Sequence, residues 1–272
     1  AAKAKGIDVI SFGIGDPDNE TPKAIVEALQ KSVADTSTHN YPPYNGTPAF
    51  RKSCAKWMKK RFNVDVDPND EMIAVIGSKE ALAHTIFGMV DPGDYVIVPD
   101  PAYPVYANFT LLCDGKPFAI PMTPENNYMP DPNELVPEDV SKQAKMIFLN
   151  YPNNPTGAIA TKEYFKKVVD FGKKYDILVC HDMAYCEMTY DGYKAPSILE
   201  IDGAKDCCIE FFSHSKAYNM TGWRVGFVAG CKEGIDVLKK IKNNVDSGVF
   251  KAIQQAAAVA LESPDCMLEE IN

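Results

Sequence analysis

An α/β fold built on a mostly parallel, seven-stranded sheet is what this sequence predicts, and three observations predict it. Apolar runs recur near 72–76, 94–99, 116–121, 146–150, 177–182, 207–213 and 224–229. Helical patterns separate most of them, at about 78–90, 104–113 and 161–175. Alternation of this kind covers a mostly parallel sheet with helices on both faces. The third observation is an exception. Between Ser213 and Arg224 the chain is too short for a crossover, which takes roughly a dozen residues or more, so the last strand should run antiparallel. Beyond it, 232–246 and 249–263 read as helices.

The 272 residues suffice for one large domain or two small ones. A net charge of −9 argues against nucleic acid as the main partner, though not against a local cationic pocket. No apolar run reaches membrane-spanning length and no signal peptide opens the chain, so no membrane partner and a cytoplasmic location are expected. Ala1 to Gly6 reads as the end of a helix stopped by Gly6, as though a longer protein preceded it. The eight cysteines, Cys54, Cys113, Cys180, Cys186, Cys207, Cys208, Cys231 and Cys266, form no C-x-x-C pair. Zinc is therefore not expected, and reduced, buried thiols are. His181 beside Cys180 and Cys186 is set aside as a metal cluster, because neighbours along a strand face opposite sides.

Taken in order, Gly13-Ile14-Gly15 is a weak dinucleotide signal, since a third glycine is absent and Pro17 interrupts the expected helix. Thr21 should cap a helix that opens at Pro22 and runs to about Ala34. His39 to Gly46 is a Pro/Gly loop, followed by an amphipathic helix from about Thr47 to Phe62. Gly77-Ser78-Lys79-Glu80 lies between a strand and a helix. Ser78 can cap that helix, whose first N–H groups are free to bind an anion. The helix end adds only about 0.3–1 kcal/mol, so a charged partner such as Arg224 is needed. Tyr103 and Asn154 each follow a strand end, where ligands bind in parallel sheets. Asp182 ends the apolar run from Ile177, where a carboxylate is costly to bury without a cation. Lys216 lies between hydroxyls, and a desolvated lysine amine can attack a carbonyl. Ser213 and Arg224 suit phosphate oxygens. Each has a plainer reading on its own: a solvated lysine for Lys216, a helix cap for Ser78 and Asp182, a packed ring for Tyr103, a turn for Asn154.

Together these segments resemble a known family. Ser213 to Gly226, as S-x-S-K-x-x-x-M-x-G-x-R-x-G, is similar to the cofactor-lysine segment of fold-type I pyridoxal-phosphate enzymes, the class I/II aminotransferases. The G-D-P-D turn at Gly15, the tyrosine loop at Tyr41, P-x-Y at Pro101 and N-P-T-G at Asn154 follow in the family's order. The resemblance implies an aspartate aminotransferase-like large domain over residues 46–272, with 1–45 as an N-terminal arm and small-domain contribution. It implies pyridoxal 5′-phosphate bound to Lys216 as a Schiff base, with Asp182 on the pyridine nitrogen. Tyr185 and Asn154 would meet the 3-oxygen, and Tyr103 would stack on the ring. Ser78, Lys79, Ser213 and Arg224 would hold the phosphate, and Gly15 and Asn154 would face the substrate. Tyr41 would reach the neighbouring subunit's site in a homodimer; otherwise it is a solvent-facing ring in a loop. The reaction implied moves an amino group between an L-amino acid and a 2-oxo acid. Asp100 to Tyr106 and Asn243 to Phe250 resemble the LL-diaminopimelate branch, with aspartate as the next candidate substrate.

The resemblance also has an edge. Of the three arginines, Arg224 is assigned to phosphate, while Arg51 and Arg61 sit on the helix after the tyrosine loop. None is a convincing clamp for a substrate carboxylate. The family's small domain is thus expected to lie outside this chain, which alone would hold the cofactor and transfer poorly. Two rival readings stand: a related lyase, and a cofactor-holding domain without turnover.

Overall fold

The structure is a computed structural model, and it describes residues 3–9, 15–263 and 268. Gly13 and Ile14 of the G-x-G pair, and Cys266, lie outside the described residues. A single 3-10 turn at Lys3–Lys5 ends at Gly6, whose φ is +74°. Helix α1 spans Lys23–Ala34. Thr21 does not cap it: Pro22 takes the N-cap position, and the Thr21 hydroxyl instead donates to the Asn219 carbonyl at 2.6 Å. A distant acceptor thus wins the hydroxyl and ties the N-terminal segment to the stretch after Lys216. Helix α2 (Pro48–Phe62) opens as the sequence predicts, with the Thr47 hydroxyl accepting from the Phe50 N–H and proline in the first turn.

The alternation then follows: β1 (Met72–Val75), α3 (Ser78–Met89), β2 (Tyr95–Asp100), α4 (Val105–Leu112) and β3 (Lys116–Pro121). Two short helices, α5 (Pro132–Leu135) and α6 (Glu138–Ser141), come next. They are too short to leave a readable period in the sequence. Then come β4 (Ala144–Asn150), α7 (Lys162–Tyr175), β5 (Leu178–Asp182), β6 (Cys208–Ser213) and the single turn α8 (His214–Ala217). Strand β7 (Gly226–Gly230) and helices α9 (Lys232–Val245) and α10 (Lys251–Glu262) complete the order.

The seven strands form one sheet in the order β1-β7-β6-β5-β4-β2-β3. Strand β7 is antiparallel to both neighbours, with Gly226 opposite Val75 of β1 and Ser213 of β6. The remaining pairs are parallel. Hence the carboxyl ends of β1, β2, β4, β5 and β6 share one edge of the sheet with the start of β7.

Successive strand residues face opposite sides. Ile73 and Val75 pack with Leu82 of α3, Tyr106 of α4 and Leu238 of α9. Met72 and Ala74 pack with Phe50 of α2, Phe165 of α7, Ala256 of α10 and Ile25 of α1. Full burial of a large apolar side chain in either layer contributes about 1.5–3 kcal/mol. The seven described cysteines are unpaired, and Cys54, Cys180, Cys186, Cys208 and Cys231 are buried. Both His181 ring nitrogens have protein partners: Nδ1 lies 2.7 Å from Glu210 Oε1, and Nε2 lies 3.1 Å from the Tyr151 carbonyl. No helix among the described residues is long and apolar enough to cross a membrane.

Candidate active site

A cavity of about 560 Å³ opens at the edge where the strand ends meet. Ser78 and Lys79 enter it after β1, Tyr103 after β2, and Asn154 after β4. Asp182 ends β5, with Tyr185 three residues on. Ser213 ends β6, Lys216 follows it in α8, and Arg224 precedes β7. Gly15 closes the cavity from the N-terminal segment, where its carbonyl accepts from Lys216 Nζ at 2.7 Å.

Asp182 is the most constrained of these groups. Burial pushes its carboxyl up from 3.8 to about 6, against the pull of the Tyr106 hydroxyl, which donates to Oδ2 at 2.8 Å. The other oxygen, Oδ1, is buried and has no hydrogen-bond partner among the described residues. Burial, with the Asp182 charge beside it, also raises the Tyr185 phenol above its usual value. Asn154 Nδ2 lies 3.4 Å from the Tyr185 hydroxyl. Asn150 links the two strand ends: its Nδ2 donates to the Asp182 carbonyl at 2.7 Å, and its Oδ1 accepts from the Asn154 N–H at 2.7 Å. Tyr103 meets Tyr106 edge to face at 5.9 Å, and Lys79 Nζ lies 5.9 Å from the Tyr103 ring centre.

At the start of α3 the expected cap is displaced. Gly77 occupies the N-cap position and Ser78 begins the helix; Glu80 reaches back instead, its Oε2 accepting from the Ile76 N–H at 2.8 Å. Gly77 has φ +79°, and a Cβ there would sit 2.4 Å from Arg224 Nη2. Only glycine allows that turn and that approach. Arg224 itself is left-handed at φ +53°, with Nη1 donating to the Thr221 carbonyl at 2.8 Å.

Tyr41 does not line this cavity. It is 84 % exposed and borders a separate depression with Gly248 and Phe250. Neither of the other arginines reaches the cavity: Arg51 holds the Gly46 and Pro68 carbonyls, and Arg61 pairs with Glu187 at 2.9 Å. Sequence reasoning missed Asp16, Asn150, Ser215 and Thr221 as lining residues, although each adjoins a segment it picked out. Tyr106 was open to no sequence signal as a functional residue, because its partner is 76 positions away. Tyr106→Phe leaves Asp182 Oδ2 without a donor, which costs about 1–3 kcal/mol of stability at pH 8. The cost shrinks at pH 5, where the carboxyl is mostly protonated. Thermal melts at both pH values check this, and an equal loss at each would contradict it.

Three cationic side chains and one half-satisfied carboxylate thus surround a space large enough for a small anionic ligand. The sequence profile of the family described as "Aminotransferase class I and II" matches residues 7–272. The chain belongs to the class I and II aminotransferases. As a member it is an amino-group transferase, and its sheet, with one antiparallel strand, is the one the resemblance implies. The LL-diaminopimelate aminotransferase of Gloeobacter violaceus is 58 % identical to this aminotransferase chain over 265 residues, covering 97 % of the chain and 67 % of that relative. LL-diaminopimelate aminotransferase 2 of Trichormus variabilis is 52 % identical over 269 residues, covering 98 % and 69 %. Among solved structures, substrate-bound BacF from Bacillus subtilis aligns with a TM-score of 0.95 at 34 % identity, covering 98 % of the chain and 68 % of that one. An aminotransferase from Staphylococcus aureus aligns with a TM-score of 0.93 at 38 % identity, covering 97 % and 70 %. The aminotransferase chain therefore spans about two thirds of the length of these relatives.

Proposed function

We propose that this cavity holds pyridoxal 5′-phosphate and that the full-length protein uses it to move an amino group from an L-amino acid to a 2-oxo acid. The observation that carries the reading is Asp182 Oδ1, an unpartnered, buried carboxylate oxygen in the wall of the cavity that Lys216 enters. A carboxylate so placed calls for a cation, and a protonated pyridine nitrogen is one. The close approach of Gly77 to Arg224 is a second point of fit. It sets the first N–H groups of α3 beside a guanidinium, as a phosphate requires.

Ser78, Lys79, Ser213 and Arg224 would take the phosphate, Tyr103 the ring face, and Asn154 with Tyr185 the 3-oxygen. When bound, the cofactor supplies an aldehyde carbon that carries nitrogen and a conjugated ring that draws electrons from the substrate carbon. The chain's own groups do the rest. Lys216 Nζ would be the amine that holds the cofactor and the base that takes and returns the substrate α-proton. Asp182 stays anionic opposite the cation it faces. The Asn150 link holds Asn154 and Asp182 at a fixed spacing. Residues 1–45 would be the N-terminal arm and small-domain contribution, and Gly15 brings a backbone carbonyl to the amine before substrate arrives.

LL-diaminopimelate is proposed as the amino donor on the strength of relatives of that name at 58 % and 52 % identity, with aspartate next on the motif resemblance alone. The reading extends to a homodimer in which each Tyr41 reaches the other copy's phosphate. Steady-state kcat/KM of the full-length protein across donors, with its sedimentation, tests this. LL-diaminopimelate should lead and the protein should sediment as a dimer. Aromatic or branched-chain donors far ahead would refute the substrate, and a fully active monomer the role of Tyr41.

A further inference from the structure

Behind the start of α3, outside the cavity, lies a buried cation that the proposed reaction does not use. Lys242 of α9 is 0 % exposed. Its Nζ lies 3.2 Å from Glu80 Oε1 and 2.9 Å from Asp246 Oδ2. An interior ammonium persists only where it is paired and hydrogen-bonded, so this one holds both carboxylates as firmly as they hold it.

Each carboxylate commits its other oxygen to a turn. Glu80 Oε2 accepts from the Ile76 N–H at 2.8 Å, which fixes the turn that brings Gly77 against Arg224. Asp246 Oδ1 accepts from the Gly248 N–H at 2.7 Å. Gly248 has φ +82°, and a Cβ there would lie 3.1 Å from the Pro43 carbonyl oxygen and 3.2 Å from Pro42 Cγ. The turn after α9 is therefore pressed against the loop that carries Tyr41. Glu80, His84 and Asp246 do bring donor atoms within 4.8 Å of one another, a spacing that suits a metal. The Lys242 ammonium already bonds to two of the three and supplies the charge an ion would bring.

We propose that Lys242 is a positioning residue for phosphate recognition. Through Glu80 it sets the turn that opens α3, and through Asp246 it sets the seat of the Tyr41 loop. One buried ammonium thus fixes the turn at the cavity and the loop proposed to reach the partner copy's phosphate, while touching no ligand. The inference rests on the cofactor assignment above and adds to it a residue that neither motif nor cavity points to.

Lys242→Met keeps the unbranched, apolar stem of the side chain, one atom shorter, and removes its charge. In the full-length protein, affinity is titrated by absorbance for pyridoxal 5′-phosphate and for pyridoxal, which lacks the phosphate. The phosphorylated ligand should bind about tenfold more weakly, the loss expected for one misaimed hydrogen bond to a charged group, while pyridoxal binding holds. An equal fall for both ligands, or no fall for either, overturns the proposal, since a general loosening of the fold would not distinguish them. If Lys242→Met does not fold, Glu80→Gln decides by the same two titrations, because it weakens the tie to Lys242 with little change in shape. A parent protein that binds neither ligand removes the cofactor reading itself, and the proposal with it.

Discussion

Lys216→Arg in the full-length protein should abolish borohydride trapping of the cofactor and lower turnover by at least about 10²–10⁴-fold, the range that proton transfer alone supplies. The substitution keeps a positive charge and a donor for the Gly15 carbonyl, so the N-terminal segment can stay docked. What it removes is an amine that can lose its proton. A guanidinium does not deprotonate in proteins, so it can neither attack an aldehyde nor serve as a base. Peptide mapping after reduction should place the label on Lys216 in the parent and on no residue in the variant. Efficient trapping at Lys79, the other cavity lysine, with turnover near the parent's would sink the assignment.

Asp182→Asn should separate stability from activity. In the cofactor-free protein, burial raises this carboxyl from 3.8 to about 6. Between those values the folded state binds more protons than the unfolded state, so stability falls as pH rises through the window. Above pH 6 the buried carboxylate costs about 3 kcal/mol, to order of magnitude. Asparagine carries no such charge. The cofactor-free variant should therefore melt several degrees higher than the parent at pH 8, and the gap should close below about pH 4. Activity should move the other way, falling about 10²–10³-fold, as when a preorganised electrostatic partner is lost. With cofactor bound the order of melting should reverse, because the cation that needs the carboxylate is then present. A cofactor-free variant less stable than the parent at pH 8 would show that Asp182 Oδ1 already has a partner that favours the carboxylate.

Much of this arrangement was legible in the sequence because it is written locally. The central strands are buried on both faces, so they appear as continuous apolar runs. The antiparallel β7 follows from the short path between Ser213 and Arg224. Lys216 and Asn154 sit in motifs whose neighbours share one task. Less was legible where distant residues compete for a group. Thr21 carries the signature of a cap, yet its hydroxyl goes to Asn219. Ser78 has the chemistry of a cap, but the turn needs φ +79° and the closeness of Arg224, and Gly77 takes the position. Tyr106 reads as one more apolar face of a helix, because nothing near it announces Asp182. Lys242 reads as a solvated lysine on α9, since its two carboxylates come from the start of α3 and from one turn further along the chain.

The place of β7 has a consequence for how the molecule is made. Among the described residues it is the last strand of this sheet in chain order, and it fills the slot between β1 and β6. About 150 residues separate Val75 from its partner Gly226. At typical rates of synthesis, roughly 5–20 residues per second, β1 therefore waits about 8–30 s for that neighbour. During that interval its backbone is an open edge, the kind that pairs with the wrong chain. The same wait holds Ser78 apart from Arg224. The nascent chain thus makes about 150 residues with an adhesive strand and no anion cup, and the arrival of β7 closes the inner side of that strand and completes the cup at once. Chaperone demand for this protein should peak while β1 is outside the ribosome and β7 is still within it.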